Sequence, residues 1–221
     1  MKVVIPGIQH VFDTDLNTVN TLVIENQRLL YNILSDMQEQ AEGKSGKTIV
    51  SRDGKELTFA KCVEVISQFV PFELSRRSLV NKVIATIEKK AIQESYTSTM
   101  EIMTAIESFL MELIFDFPGD IVFQKIEIGA IIKSIGIRFC EDYDSLGEKI
   151  IDYMELVTEY DQSKLFILIN LRNFITDREA QLFIDTVLQH QYHVLMIEGN
   201  AHSSLSKEKR YLIDLDCCEI Q

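Results

Sequence analysis

Apolar runs alternate with helical patterns in the first and last thirds of the chain. Residues 21–25 (TLVIE), Leu165–Ile169 and 194–197 are continuous apolar or β-branched segments, which are typical of strands covered on both faces. A helix with capping-box spacing at Thr176 and Glu179 separates the last two segments. Because this order favours parallel pairing, the pattern predicts an α/β fold with a mixed or mostly parallel sheet built from both ends of the chain.

Shorter strands are predicted around turns near the N-terminus. Residues 2–5 and 10–13 are expected to pair with each other. Residues 48–51 and 56–59 flank Asp53-Gly54, a dipeptide that favours a tight hairpin. Asparagine at position 26 is placed to cap a helix whose apolar residues recur at helical spacing up to residue 37.

The middle of the chain changes to a helical pattern. Apolar residues recur at helical spacing over residues 80–91 and 102–114, and Ser98 and Glu101 have capping-box spacing before the second stripe. The two stripes predict an αα-hairpin, with residues 60–69 as a further helical wall. The predicted domains are an α/β head, residues 1–60 and 138–221, and an inserted α-helical leg, residues 61–137.

The charge of the chain is negative but uneven. Its 22 basic and 34 acidic residues give a net charge of −12, which weighs against a nucleic-acid partner because phosphate binding needs positive potential. Residues 44–61, however, carry five basic and two acidic residues, whereas residues 141–161 carry eight acidic residues and one lysine. A solvated surface is the ordinary explanation of such runs.

The composition points to a protein of the cytoplasm. Apolar residues make up 46% of the 221 residues, enough for a packed core, and no run approaches the roughly 20 apolar residues that span a bilayer. Pro6 and Gly7 interrupt the segment where a signal peptide needs an unbroken apolar stretch. We therefore expect free thiols and no membrane partner.

The stretch EGKSGKTIVS, residues 42–51, nearly matches the phosphate-binding loop of nucleotide hydrolases. Ala41 stands where that motif has its first glycine. Such a loop works because it joins a strand to a following helix, whose backbone N–H groups point at the anion. Here a predicted helix precedes the stretch and a predicted strand follows it. No G-x-S-x-G, G-x-G-x-x-G or H-E-x-x-H motif occurs elsewhere, so we predict a protein that is not an enzyme.

Acidic residues gather around a chain break between the predicted domains. Asp116 and Asp120 flank Phe117-Pro118-Gly119, and Glu127 follows. Carboxylates in turns suit hard cations such as calcium, which takes several oxygen ligands. No EF-hand register fits, and solvated acids at a domain junction are the commoner explanation.

The order of the segments resembles one known protein family over essentially the full chain. The segments that carry the resemblance are TLVIEN at 21–26, IEI and IIKSIGI within 126–137, the apolar run up to Asn170, and TDRE at 176–179. This order is similar to that of the ring-forming CRISPR-associated protein of type II-A systems, an accessory factor for the acquisition of new spacers. No single motif is diagnostic, and the resemblance rests on order and spacing.

The resemblance implies a non-enzymatic homotetrameric ring with a head distantly related to the phosphate-loop ATPases. It implies calcium ions (Ca2+) and sequence-independent binding of double-stranded DNA through the central hole, preferably at DNA ends. The implied protein partners are the CRISPR integrase proteins and the effector nuclease. The positions that correspond to the family's calcium ligands are Asp116, Asp120, Glu127 and Glu141. The candidate DNA-binding residues are Lys44, Lys47, Arg52, Lys55, Lys61, Lys125, Lys133, Arg138 and Lys149.

Two alternatives to a DNA-binding ring stay open. A nucleotide-hydrolysing DNA clamp or motor would need the near-match at residues 42–51 to bind nucleotide. A purely structural scaffold for the integrase would need no DNA contact. The net charge of −12 does not exclude the ring, because basic loops brought together around a hole create a local positive potential.

Overall fold

The structure, a computed structural model, describes residues 1–14, 17–160 and 164–220. The chain divides into two compact units. The first unit contains Met1–Phe72 and Asp142–Gln221, and the second contains Glu73–Glu141. Asp161, the last acid of the acidic run, lies outside the described residues.

Two sheets belong to the first unit. The strands of the described chain are β1 (Lys2–Val4), β2 (Val11–Asp13), β3 (Val19–Ile24), β4 (Ile49–Arg52), β5 (Lys55–Leu57), β6 (Val63–Ile66), β7 (Leu165–Ile169), β8 (His193–Glu198), β9 (Glu208–Ile213) and β10 (Glu219–Ile220). The smaller sheet has the order β2–β1–β4–β5 and is antiparallel. The larger sheet has the order β10–β9–β3–β8–β7–β6, and all of its pairs are parallel except β10–β9. The prediction of a mixed α/β fold is confirmed.

Burial on both faces explains the composition of the central strands of the larger sheet. Every residue of β3 and of β7 is buried. Leu22, Ile167 and Leu195 lie on one face of this sheet, in a hydrophobic core that also contains Val3 and Val50 of the smaller sheet. Strands that are covered on both sides lose the alternation of polar and apolar residues. The continuous apolar runs of the sequence therefore predicted these strands correctly.

Helices flank the sheets of the first unit and make up most of the second. The helices of the first unit are α1 (Gln27–Ala41), α2 (Phe59–Cys62), α6 (Leu146–Tyr160) and α7 (Asp177–Gln189), with a 3-10 turn at Leu171–Asn173. Those of the second unit are α3 (Arg77–Gln93), α4 (Tyr96–Ile114) and α5 (Ile128–Ser134). Two predicted caps are confirmed: Asn26 Oδ1 accepts the Leu29 N–H at 3.0 Å, and Thr176 and Glu179 form a reciprocal capping box at α7.

The prediction of a helical wall over residues 60–69 is wrong. Residues 59–62 form the short helix α2, and residues 63–66 then form β6, which pairs in parallel with β7. The segment Val-Glu-Val-Ile is rich in β-branched residues, which favour a strand. The first unit therefore extends past residue 60, up to Phe72.

The second unit contains the predicted αα-hairpin. α3 packs against both α4 and α5. The predicted cap at Ser98 is wrong, because α4 begins at Tyr96 and Ser95 is its N-cap residue. Thr99 instead ties the two long helices together, since its hydroxyl donates to the Ala91 carbonyl at 2.8 Å. Among the described residues, no helix is long and apolar enough to cross a membrane.

Candidate nucleic-acid interface

The loop between α1 and β4, residues 42–48, folds around a carboxylate of α1. The Lys47 N–H donates to Asp36 Oδ1 at 3.0 Å and to Oδ2 at 3.1 Å. Thr48 donates to Asp36 Oδ2 twice, from its N–H at 3.2 Å and from its hydroxyl at 3.1 Å. Consecutive backbone N–H groups that converge on one anion form an anion-binding turn. In this protein that anion is the side chain of Asp36.

A glutamine completes the attachment of this loop. The buried side chain of Gln40 lies one turn beyond Asp36, and its Nε2 donates to the Thr48 carbonyl at 3.0 Å. A Cβ at position 46 would clash with the Cγ of Gln40, so any larger residue there would displace the Gln40 side chain or the loop. Gly46 therefore serves the packing of the loop on α1.

In an α/β sheet a phosphate-binding loop joins a strand to the helix that follows it, and the β3–α1 junction of this protein has no such loop. β3 leads into α1 through Glu25 and Asn26 without a glycine, and Asn26 caps the helix with its own side chain. Ligands of open α/β sheets bind at the carboxyl ends of the strands. At the end of β8, Gly199 packs so closely that a Cβ would lie 3.2 Å from Leu30 Cδ2 and 3.4 Å from Asn170 Oδ1. The side chains of Leu30 and Asn170 therefore occupy the space beside Gly199 at the end of β8.

The hairpin of β4 and β5 presents two cations side by side. Arg52 and Lys55 are paired residues at its end, and both are exposed. The turn between them has positive φ angles at Asp53 (50°) and Gly54 (76°), as the primed hairpin turns require. The hairpin that the Asp-Gly dipeptide predicted is confirmed.

The basic residues that the sequence selected between 44 and 61 all lie on the surface of the first unit. Lys44 and Lys47 belong to the α1–β4 loop, and Lys61 belongs to α2. Lys44 Nζ lies 3.2 Å from Glu42 Oε2, and this contact lowers the pKa of the Glu42 carboxyl. We call Lys44, Lys47, Arg52, Lys55 and Lys61 the basic surface.

The remaining basic candidates have other surroundings. Lys149 lies on α6, half-buried, with its Nζ 5.9 Å from the centre of the Tyr143 ring. Glu148 and Asp152 lie on the same helix. Lys125, Lys133 and Arg138 are exposed residues of the second unit.

The four acids that the family resemblance implies as calcium ligands lie in the second unit. Asp116 and Asp120 are exposed in the segment between α4 and α5, and Glu127 is the N-cap residue of α5. Glu141 Oε1 accepts the backbone N–H groups of Leu74 and Ser75, at 3.2 and 3.1 Å. Within the described ranges, no three His, Cys, Asp or Glu side chains are grouped closely enough to hold a metal ion.

Two residues of the interface were missed from the sequence. Asp36 shows no signal in the sequence, because an acid in the middle of an amphipathic helix is ordinary. Lys2 is exposed on β1 and lies opposite Ser51, the neighbour of Arg52. Lys2 lies near the hairpin because of the register in which β1 pairs with β4, and the sequence does not give that register.

A comparison with known protein families agrees with the resemblance seen in the sequence. A family model described as CRISPR-associated protein (Cas_Csn2) matches residues 40–217. This range includes all five residues of the basic surface, the second unit, and β7 to β9 of the larger sheet. No curated protein matches the chain. The match covers well over half of the chain, and the protein therefore belongs to the Cas_Csn2 family of CRISPR-associated proteins.

Proposed function

We propose that the protein is a non-enzymatic subunit of a homotetrameric ring that binds double-stranded DNA in CRISPR adaptation. It binds DNA without sequence preference, through the central hole and preferably at ends. The observation that carries the proposal is the basic surface, where five exposed cations lie within 18 residues of an otherwise acidic chain. Phosphate contacts position a protein on DNA without reading its sequence. The integrase proteins and effector nuclease of the same CRISPR system are the proposed partners.

The loop geometry supports leaving nucleotide hydrolysis out of this proposal. The backbone N–H groups of Lys47 and Thr48 already bind the carboxylate of Asp36. A phosphate would have to displace that carboxylate and would then face its negative charge. We expect no ATP turnover with or without linear duplex DNA, and DNA-stimulated hydrolysis that is lost in Lys47→Ala would contradict the proposal.

An exposed apolar face supports self-association. Ile102, Phe109 and Leu113 recur at helical spacing on α4 and are each more than half exposed. Contiguous large apolar side chains at a surface mark sites of protein association. We expect the mass in solution to be that of four chains, and a monomer mass at micromolar concentration would contradict the ring.

Calcium enters the proposal through the family resemblance. The four acids are not gathered into a site in this structure, and Glu141 already accepts two backbone hydrogen bonds. Calorimetry of the full chain with CaCl2 tests the requirement directly. Heat of binding that is reduced in Asp120→Asn supports it, and the absence of any calcium-dependent heat removes calcium from the proposal.

Charge reversal on the basic surface tests the proposal as a whole. In Lys47→Glu with Arg52→Glu, the affinity for linear duplex should fall by about ten- to a hundredfold, because phosphate contacts carry most of such binding. Binding should also weaken steeply with salt and favour linear over closed circular DNA. The matched control is Lys89→Glu with Lys90→Glu, which reverses two exposed charges of α3 that are not among the candidate residues. Unchanged affinity in Lys47→Glu with Arg52→Glu would contradict DNA binding at this surface.

A further inference from the structure

One acid of α1 binds the backbone of the α1–β4 loop beside Lys47, a residue of the basic surface. Asp36 receives four contacts between 3.0 and 3.2 Å from Lys47 and Thr48. Its side chain is half-buried, whereas residues 42–47 of the loop are exposed. Apart from its contacts with Asp36 and Gln40, the loop is fastened mainly by backbone bonds at the end of α1.

We propose that Asp36 is a positioning residue for DNA binding: by holding the end of the α1–β4 loop, it keeps Lys47 in the arrangement that contacts phosphates. The inference rests on the proposed function. A loop that is ordered before binding loses less conformational freedom when DNA binds, so it binds more tightly than a mobile loop with the same charges. The carboxylate therefore supports the binding of an anion although it is itself an anion.

Asp36 could act as a negative charge near the DNA or as an anchor of the loop, and the two roles predict opposite effects of its substitution on DNA affinity. If Asp36 acted only as a negative charge near the DNA, its removal would strengthen binding. If Asp36 positions the loop, its removal releases the segment that carries Lys47 and weakens binding. The salt dependence separates these cases further, because its slope reports the number of phosphates that the protein neutralises. A lost negative charge alone leaves that slope unchanged, whereas a released loop makes it shallower.

The test compares Asp36→Asn with Glu39→Gln. Both substitutions remove one negative charge from α1, and Glu39 is exposed. Affinity for linear duplex is measured from about 50 to about 300 mM salt, where the slope is well defined. We expect Asp36→Asn to weaken binding about three- to tenfold with a shallower slope, and Glu39→Gln to bind as tightly as the unmodified protein or up to about twofold more tightly. Equal strengthening by both variants, with unchanged slopes, would overturn the inference.

A second variant keeps the test valid if Asp36→Asn does not fold. Gly46→Ala leaves every charge in place, but its Cβ would clash with the Gln40 side chain, so the contact of Gln40 with the loop must be disturbed. It should weaken DNA binding in the same way, and full affinity in this variant would overturn the inference. Circular dichroism first establishes that each variant is folded.

Hydrogen exchange separates failure of this inference from failure of the proposed function. If Lys47→Glu with Arg52→Glu leaves DNA affinity unchanged, the proposed DNA surface is wrong. The amides of Lys47 and Thr48 then decide alone whether Asp36 orders the loop, because both donate to its carboxylate. Faster exchange in Asp36→Asn than in Glu39→Gln supports the ordering role, and equal exchange overturns it.

Discussion

The first unit carries two sets of charged side chains that differ in burial. The basic surface is exposed to solvent on a loop, a hairpin and a short helix. The second set, which we call the buried charge cluster, lies against the larger sheet and consists of Arg172, Glu198, Glu208 and Arg210. The side chains of Arg172, Glu198 and Glu208 are each about 1% exposed. The first unit therefore holds charged side chains both in water and in its interior, and an unpaired charge is costly only in the interior.

Contacts inside the buried charge cluster are dense but incomplete. The Arg172 guanidinium bonds Asp177 at 2.6 Å and lies 3.7 Å from Glu208 Oε1. Glu208 also accepts the Thr21 hydroxyl at 2.7 Å. Several buried atoms of the described cluster have no hydrogen-bond partner, among them Arg172 Nε and Glu198 Oε2. Removal of one member therefore leaves the other charges buried with less compensation.

Exposed charges are free to act on a partner, whereas buried charges act mainly on the stability of the fold. Exposed ion pairs contribute little to stability because water and salt screen them, so the basic surface can serve binding at small cost. Buried charges change the free energy of unfolding strongly when a partner is lost. Substitutions in the two sets should consequently separate DNA affinity from stability.

The largest effect is expected for Arg172→Met. Because Glu198 and Glu208 would lose their buried cation, the free energy of unfolding should fall by about 3–5 kcal/mol. Urea denaturation followed by circular dichroism measures it. The matched control, Arg52→Met in the basic surface, should change stability by no more than about 0.5 kcal/mol. A similar small loss in both variants would erase the distinction between the two sets.

The second largest effect is expected in the pH dependence of stability, which Glu198 should cause. Burial, and to a smaller degree the nearby Glu208 charge, raises the pKa of this carboxyl to about 7 against the opposing effect of Arg172. The unfolded chain releases the proton near pH 4.5, whereas the folded protein keeps it until about pH 7. Stability should therefore fall as the pH rises through this window, by up to about 3 kcal/mol.

Glu198→Gln should remove that part of the pH dependence. Glutamine keeps the shape of the side chain and carries no proton to lose, so the variant should be more stable than the unmodified protein at pH 8 and nearly equal at pH 4.5. His202, whose Nε2 lies 3.7 Å from Glu198 Oε2, also titrates nearby, and burial lowers its pKa. Glu39→Gln provides the exposed control. Parallel pH profiles in the two variants would show that Glu198 is not the group responsible.

Local signals predicted most of the fold from the sequence. The Asn26 cap, the Thr176–Glu179 capping box and the Asp53-Gly54 turn each depend on residues within four positions of one another. The strand β6 was missed because four residues carry no clear period. Its pairing with β7 joins positions about a hundred apart in the sequence, and only the folded sheet reveals that register.

The candidate site was predicted by residue type but not by arrangement. Lys47 and Arg52 were selected because cations suit phosphates, and the structure places both on the surface. The binding of the Lys47 amide by Asp36, eleven positions earlier, depends on how the loop folds back on α1. The order of helix and strand argued against a phosphate-binding loop at residues 42–51, and the backbone there binds the carboxylate of Asp36.

The smallest effect compares two lysines of the first unit. Lys55 is exposed at the end of the β4–β5 hairpin, and its reversal in Lys55→Glu should weaken duplex binding about three- to tenfold and reduce the salt slope by about one contact. Lys149 lies half-buried over the Tyr143 ring on a helix that also carries Glu148 and Asp152. Lys149→Glu should change DNA affinity by less than about twofold, since its acidic neighbours already oppose a phosphate there. Affinity that falls equally in both variants would extend the DNA path to α6 and enlarge the basic surface beyond the loop and the hairpin.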